Sequence, residues 1–280
     1  MKSIYFYVHD NKEQDKIIVE IEKIFNRNKC YWFFIKYWHG GPHLRIRFAD
    51  LNNSNIETEL VEYLTSKKTD LEYSTLTAEE YYKYHTFDGE DLNVHELPWY
   101  NQGDIVHVPY DPEYHRYGEG KVLGINESIF NFSTLLISEF LEKETTDFKS
   151  KLLFSFYIFT KFLDYIPTVN DKKNFLLNYT GYWGKFSTDK NVKLKYDVLM
   201  QKLDAIINYF DKKYGKQFDK IYCQLDDLEK IVDYNTLLYM ISSQIHMTNN
   251  RLGVPPNLEY EIALQLLKVM VGDKYVEEKF

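Results

Sequence analysis

In residues 40–48, GGPHLRIRF, a histidine and two arginines (His43, Arg45 and Arg47) recur at every second position behind a glycine pair and a proline. In an extended strand these three share one face, and Leu44, Ile46 and Phe48 share the other. Guanidiniums at that spacing form a rigid comb of donors suited to carboxylate or phosphate oxygens. The charged outer face of an ordinary half-exposed strand would show the same alternation. The Gly-Gly-Pro turn, which lets a backbone pass close beside a ligand, moves the reading toward a site.

Two further stretches carry chemistry. In YDPEYHRYGEG, Glu113 and Arg116 are three residues apart and would meet on one side of a helical turn, as a surface ion pair or as an arginine that joins the comb with a carboxylate to orient it. In SQIHMTNNRLG, His246 and Asn250 have the i,i+4 spacing of one helix face, and Arg251 follows. A histidine near a helix C-terminus is often only dipole-stabilised. Its ordinary pKa of about 6.5 also fits an acid or base. Arg251 reads as a carboxylate ligand or as a C-terminal cap. His39 and His43 are separated by Gly-Gly-Pro, so no metal site is expected, and no nucleotide-binding or serine-hydrolase motif is present.

These residues need elements to hold them. SIYFYVH reads as a strand, residues 11–28 as an amphipathic helix, and YWFFIKYW and HLRIRF as strands joined by the Gly-Gly-Pro turn, giving β-α-β-β. A helix over about 55–66 follows, then a mixed region with a short strand in DIVHVPY. No motif marks residues 60–95. Helical periodicity dominates afterwards, predicting helices over 125–143, 148–166, 171–180, 192–214, 224–233, 234–250 and 257–271, with caps at Asn170-Asp171 and Asp233 and a stop at Gly253. The fold class is α+β: an α+β portion over 1–120 bearing the arginine strand, packed on a mostly helical portion over 121–280 bearing His246, with a cleft expected where they meet.

Whole-chain properties narrow the function. The 280 residues include 25 Tyr and 19 Phe, enough to fill a sizeable core. A formal net charge of −8 argues against bulk nucleic-acid binding but leaves room for a local basic pocket. Two cysteines provide no disulfide framework. With no signal-like start and no long apolar run, the expected location is the cytoplasm, away from membranes.

Taken in order, YWFFIKYWHGGPHLRIRF, YDPEYHRYG and HMTNNRLG resemble the P-H-L-R-x-R-F, Y-x-x-E-x-x-R-Y-G and H-x-x-x-N-R-x-G motifs of the C-terminal elimination domain of class I lantibiotic dehydratases, a family that includes free-standing proteins of thiopeptide biosynthesis. The resemblance spans essentially the whole chain. It implies a lyase without cofactor or metal, acting on a ribosomally made precursor peptide whose Ser or Thr has been glutamylated by a separate tRNA-dependent subunit, for which this chain has no room. Loss of the Cα proton and of glutamate would leave dehydroalanine or dehydrobutyrine. By motif, Arg45, Arg47 and Arg116 would bind glutamyl carboxylates and the developing oxyanion, Glu113 would hold Arg116 or assist proton transfer, and His246 would be the acid or base. His43, Asn250 and Arg251 would contact substrate. The same family also implies an alternative, a pyridine synthase that joins two dehydroalanines by a formal [4+2] addition and expels the leader peptide. A third reading is a leader-binding scaffold that adds a peptide strand to a sheet edge.

Overall fold

The computed structural model describes residues 1–49, 55–71, 74–83, 96–186 and 202–271. The architecture is α+β, with a four-stranded antiparallel sheet near the N-terminus and helices dominating the C-terminal part. Two compact units emerge: Met1–Tyr114 with Phe130–Thr146, and His115–Ile129 with Asp147–Phe280. One helix of 24 residues, Gly120–Lys143, contributes its first part to one unit and the rest to the other.

In the first unit, β1 (Lys2–Tyr7), α1 (Asn11–Arg27), β2 (Trp32–Tyr37) and β3 (His43–Phe48) form the expected β-α-β-β start. Helices α2 (Ile56–Asp70) and α3 (Ala78–Lys83) and strand β4 (Ile105–His107) follow. The sheet order is β2-β3-β1-β4. Asp10 opens α1 by accepting the backbone N–H groups of Lys12 and Glu13 at 2.8 and 2.9 Å, a side-chain N-cap. Its apolar stripe of Ile17, Ile18, Ile21, Ile24 and Phe25 is buried. Phe25 stacks on Trp32 and meets Phe48, which places α1 over the sheet face opposite the comb. On that face Lys36 and Asp15, both almost fully buried, pair at 2.7 Å.

Strand β2 lies at the edge of the sheet, where unpaired backbone groups are costly to bury. The C-terminal half of α5 (Gly120–Lys143) supplies partners: Asn131 donates to the Trp32 carbonyl at 2.6 Å, and Thr134 Oγ1 accepts the Phe34 N–H at 3.4 Å.

The second unit starts in the short α4 (Tyr114–Tyr117) and is built from α6 (Phe148–Tyr165), α7 (Val169–Trp183), α8 (Leu203–Glu229), α9 (Tyr234–Leu252) and α10 (Pro256–Val271). Helix α6 packs against α8, α9 and α10, and α7 against α10. Edge-to-face contacts of Phe154 with Phe210 and Tyr214, and of Tyr157 with Phe218, fill the α6–α8 contact. The spacing predicted two helices over 192–214 and 224–233. Residues 192–201 lie outside the described residues, and from Leu203 a single helix runs to Glu229. Its buried series Phe210, Tyr214, Phe218, Ile221, Leu225 and Leu228 holds one helical period straight through Gly215. Asp233 caps α9 through the Thr236 N–H, as expected, whereas α7 is capped by Thr168, with Asp171 in its first turn. Gly253, at φ 84°, closes α9: its N–H reaches the Asn250 carbonyl and that of Val254 the Asn249 carbonyl, a Schellman turn that starts α10 at Pro256.

Candidate functional site

Strand register places Ser3, Tyr5 and Tyr7 of β1 and Phe33, Ile35 and Tyr37 of β2 beside Arg47, Arg45 and His43 on one sheet face. The comb therefore stands between two rows that are mostly aromatic. The Arg45 guanidinium lies 3.4 Å from the Tyr37 ring centre and 4.6 Å from that of Tyr5, and that of Arg47 lies 5.1 Å from Tyr110 and 5.7 Å from Phe33. Ring faces fix the guanidinium planes without neutralising them, and so leave the in-plane donors for another partner. Among the described residues no carboxylate pairs with either arginine. Arg47 is only 8% exposed, and its Nε has no hydrogen-bond partner there. Arg47 is also close enough for its charge to oppose that of Arg45.

His43, expected to contact substrate, is bound on both ring nitrogens by the protein itself. It is fully buried, and burial pushes its pKa down to about 3, so the ring is neutral at ordinary pH. Its Nδ1–H donates to the Gly41 carbonyl at 2.8 Å, leaving Nε2 to accept from Arg45 Nε–H at 3.2 Å. The histidine thus aims Arg45. The glycine pair is also packed tightly by the protein. Gly40 and Gly41 adopt φ of 89° and 103°, and a side chain on them would press on Tyr100 and Trp99.

The depressed pKa has a checkable consequence. Because the folded pKa lies below the unfolded value of about 6.5, the unfolded chain takes the proton first as pH falls. Stability from this group is complete above about pH 6.5 and is lost toward about pH 3. In urea titrations over that range, wild type should lose stability relative to His43→Gln. Parallel curves would show that the ring has the same proton affinity folded and unfolded.

The second unit holds a separate cluster. A cavity of about 330 Å³ is lined by Arg116, Tyr179, Trp183, Tyr239, Ser243 and His246, among others. It brings together Arg116 of α4 and His246 of α9, two of the residues singled out in the sequence. His246 stacks on Trp183, ring centres 4.2 Å apart, and Nδ1 lies 3.0 Å from Glu259 Oε1. Tyr179 donates its hydroxyl to Glu259 Oε2 at 2.5 Å. Burial, and then the neighbouring Glu259 carboxylate, push the Tyr179 hydroxyl pKa well above its usual range, so it remains a donor. Glu113 immediately precedes α4 and is part-buried. Asn250 is also part-buried, and it is not among the described residues that line the cavity. Arg251, expected to contact substrate, is fully buried and donates Nη1 to the Met247 carbonyl. Among the described residues, no three His, Cys, Asp or Glu side chains group as metal ligands, and no helix is long and apolar enough to cross a membrane.

Over residues 3–270 the chain matches the model of the lantibiotic biosynthesis dehydratase C-terminal family. It belongs to that family. No curated protein sequence matches it. Solved structures that share the fold of this dehydratase C-terminal family member include the following three. The pyridine synthase TbtD from thiomuracin biosynthesis superposes with a TM-score of 0.73 at 12% identity, covering 96% of this chain and 97% of that one. The tRNA-dependent lantibiotic dehydratase MibB from Microbispora sp. 107891 gives 0.61 at 14% identity, covering this chain completely and 28% of its own. TsrL gives 0.58 at 14%, covering 99% and 96%. At such identities the likeness is one of fold.

Motif reading missed Glu259, Tyr179 and Trp183 in this family member. One signal was available. Glu259 stands in helical register with Ile262, Ala263 and Leu266 of α10, a carboxylate on an otherwise apolar stripe. Such a residue is buried only with partners.

Proposed function

We propose that this chain carries out glutamate elimination. It acts on glutamylated Ser or Thr of a ribosomally made precursor peptide, after a separate tRNA-dependent subunit has attached the glutamate. One observation carries this reading: Arg45 and Arg47 are held on ring faces with no carboxylate paired to them among the described residues. A glutamyl ester offers matching charges. Its γ-carboxylate is free, its α-carboxylate is the leaving group, and loss of the Cα proton places negative charge on the adjacent peptide carbonyl. Fixed donors in a site poor in water favour all three. Arg116 and His246 are assigned to the same reaction, Arg116 to anion binding and His246 to proton transfer.

The second reading is the [4+2] pyridine synthase, the activity named for TbtD, whose backbone this chain matches with a TM-score of 0.73. That reaction expels no glutamate and gives uncompensated arginines no carboxylate to hold. Mass spectrometry of a chemically glutamylated precursor peptide incubated with the pure protein separates the two. Loss of glutamate establishes elimination. An untouched glutamyl peptide, with conversion of a multiply dehydrated peptide to a macrocycle and released leader, overturns it in favour of cyclisation.

A further inference from the structure

The His246 ring makes one hydrogen bond among the described residues, through Nδ1 to Glu259. Glu259 has no exposed surface and receives the Tyr179 hydroxyl on its other oxygen. Glu259 and Tyr179 belong to α10 and α7, which pack together, so the carboxylate is clamped from two helices other than the one that carries His246. A buried carboxylate facing one imidazole nitrogen has two effects. It keeps the proton on Nδ1, which leaves the Nε2 lone pair available, and it stabilises the imidazolium once Nε2 is protonated. The Trp183 face against the ring adds to the second effect, since an indole attracts a cation stacked on it.

We infer that Glu259, braced by Tyr179, is the positioning residue that makes His246 Nε2 a proton acceptor. Extended to the reaction, this rests on the elimination reading. Nε2 takes the Cα proton, and the Cα–H electron pair becomes the Cα=Cβ bond. The Cβ–O bond breaks, and its pair leaves on the glutamate α-carboxylate. The imidazolium then returns its proton to solvent, so no cofactor or oxidant is consumed. Arg116 lines the same cavity. Glu259 supplies the countercharge to the imidazolium.

The test reads the ring itself, in full-length protein labelled with 15N-histidine, with the His246 signals assigned by their loss in His246→Gln. In wild type the neutral ring should carry its proton on Nδ1. In Glu259→Gln, nearly isosteric and able to fold with the same contacts, the Nδ1–H form of the neutral ring should lose population to the Nε2–H form, because a neutral amide oxygen holds the Nδ1 proton less firmly than a carboxylate. Tyr179→Phe, which keeps the packing and removes only the donor, should shift that balance by less. An Nε2–H tautomer in wild type, or a tautomer balance unchanged in Glu259→Gln, overturns the inference whatever the enzyme does. If the ring responds as expected but wild type releases no glutamate from the glutamyl peptide, the positioning role stands and the elimination reading fails.

Discussion

Arg47→Met is expected to cut glutamate release from a glutamylated peptide by about 10²–10³-fold while leaving the protein no less stable than wild type. The first effect is the usual cost of removing one fixed donor from a site where negative charge develops. The second follows from Arg47 being nearly buried, with an Nε that has no hydrogen-bond partner among the described residues. Relieving an unsatisfied buried donor returns about 1–3 kcal/mol. The lost contacts with Tyr110 and Phe33 take back about 0.5–2 kcal/mol. Met is flexible enough to fill the remaining space. A residue kept for the fold would show the opposite pattern, with activity and melting temperature falling together. Circular dichroism melts and peptide turnover on the same preparation measure both quantities. Retained turnover, or a melting temperature many degrees lower, would remove Arg47 from the site.

The second large effect falls on His246. In His246→Gln, kcat should drop by about 10²–10⁴-fold, the range for loss of a positioned acid or base, with a much smaller change in KM. Glutamine matches part of the ring's shape and can hydrogen-bond to Glu259, but it has no lone pair of comparable basicity to present to the cavity. The KM comparison separates proton transfer from binding. Arg116 lines the same cavity and is assigned to the anion, so Arg116→Ala is the natural contrast, with its effect appearing in KM as well. A His246→Gln enzyme with wild-type kcat would end the assignment of this histidine to proton transfer.

The outline of the fold was legible because its signals are local. SIYFYVH, YWFFIKYW and HLRIRF, with the short strand in DIVHVPY, gave all four strands of the sheet, and the helical period gave the long C-terminal helices within a few residues at most ends. Asp233 and Gly253 marked their termini because capping chemistry is written in one residue. What escaped depends on partners distant in sequence. The spacing reads as two helices with a gap between 214 and 224, although packing against α6 keeps α8 continuous through it. The charge of His43 could not be read from alternation, since its neutrality arises from complete burial and from Gly41 and Arg45 on either side of the ring. The aromatic rows beside the comb come from registry among three strands. Tyr179 lies 80 residues from Glu259, so no motif window contains both.

The bonds from Asn131 and Thr134 to the outer rim of β2 also bear on how this chain behaves while it is being made. WFFIKY is an aromatic, β-prone segment at a sheet edge, the kind that recruits a second copy when left bare. Its cover arrives about a hundred residues later in the chain. A polypeptide ending short of residue 130 would display a sticky rim, whereas the longer chain seals it with two side chains. Protection of this edge against self-pairing thus rests on a helix laid along the rim of a sheet.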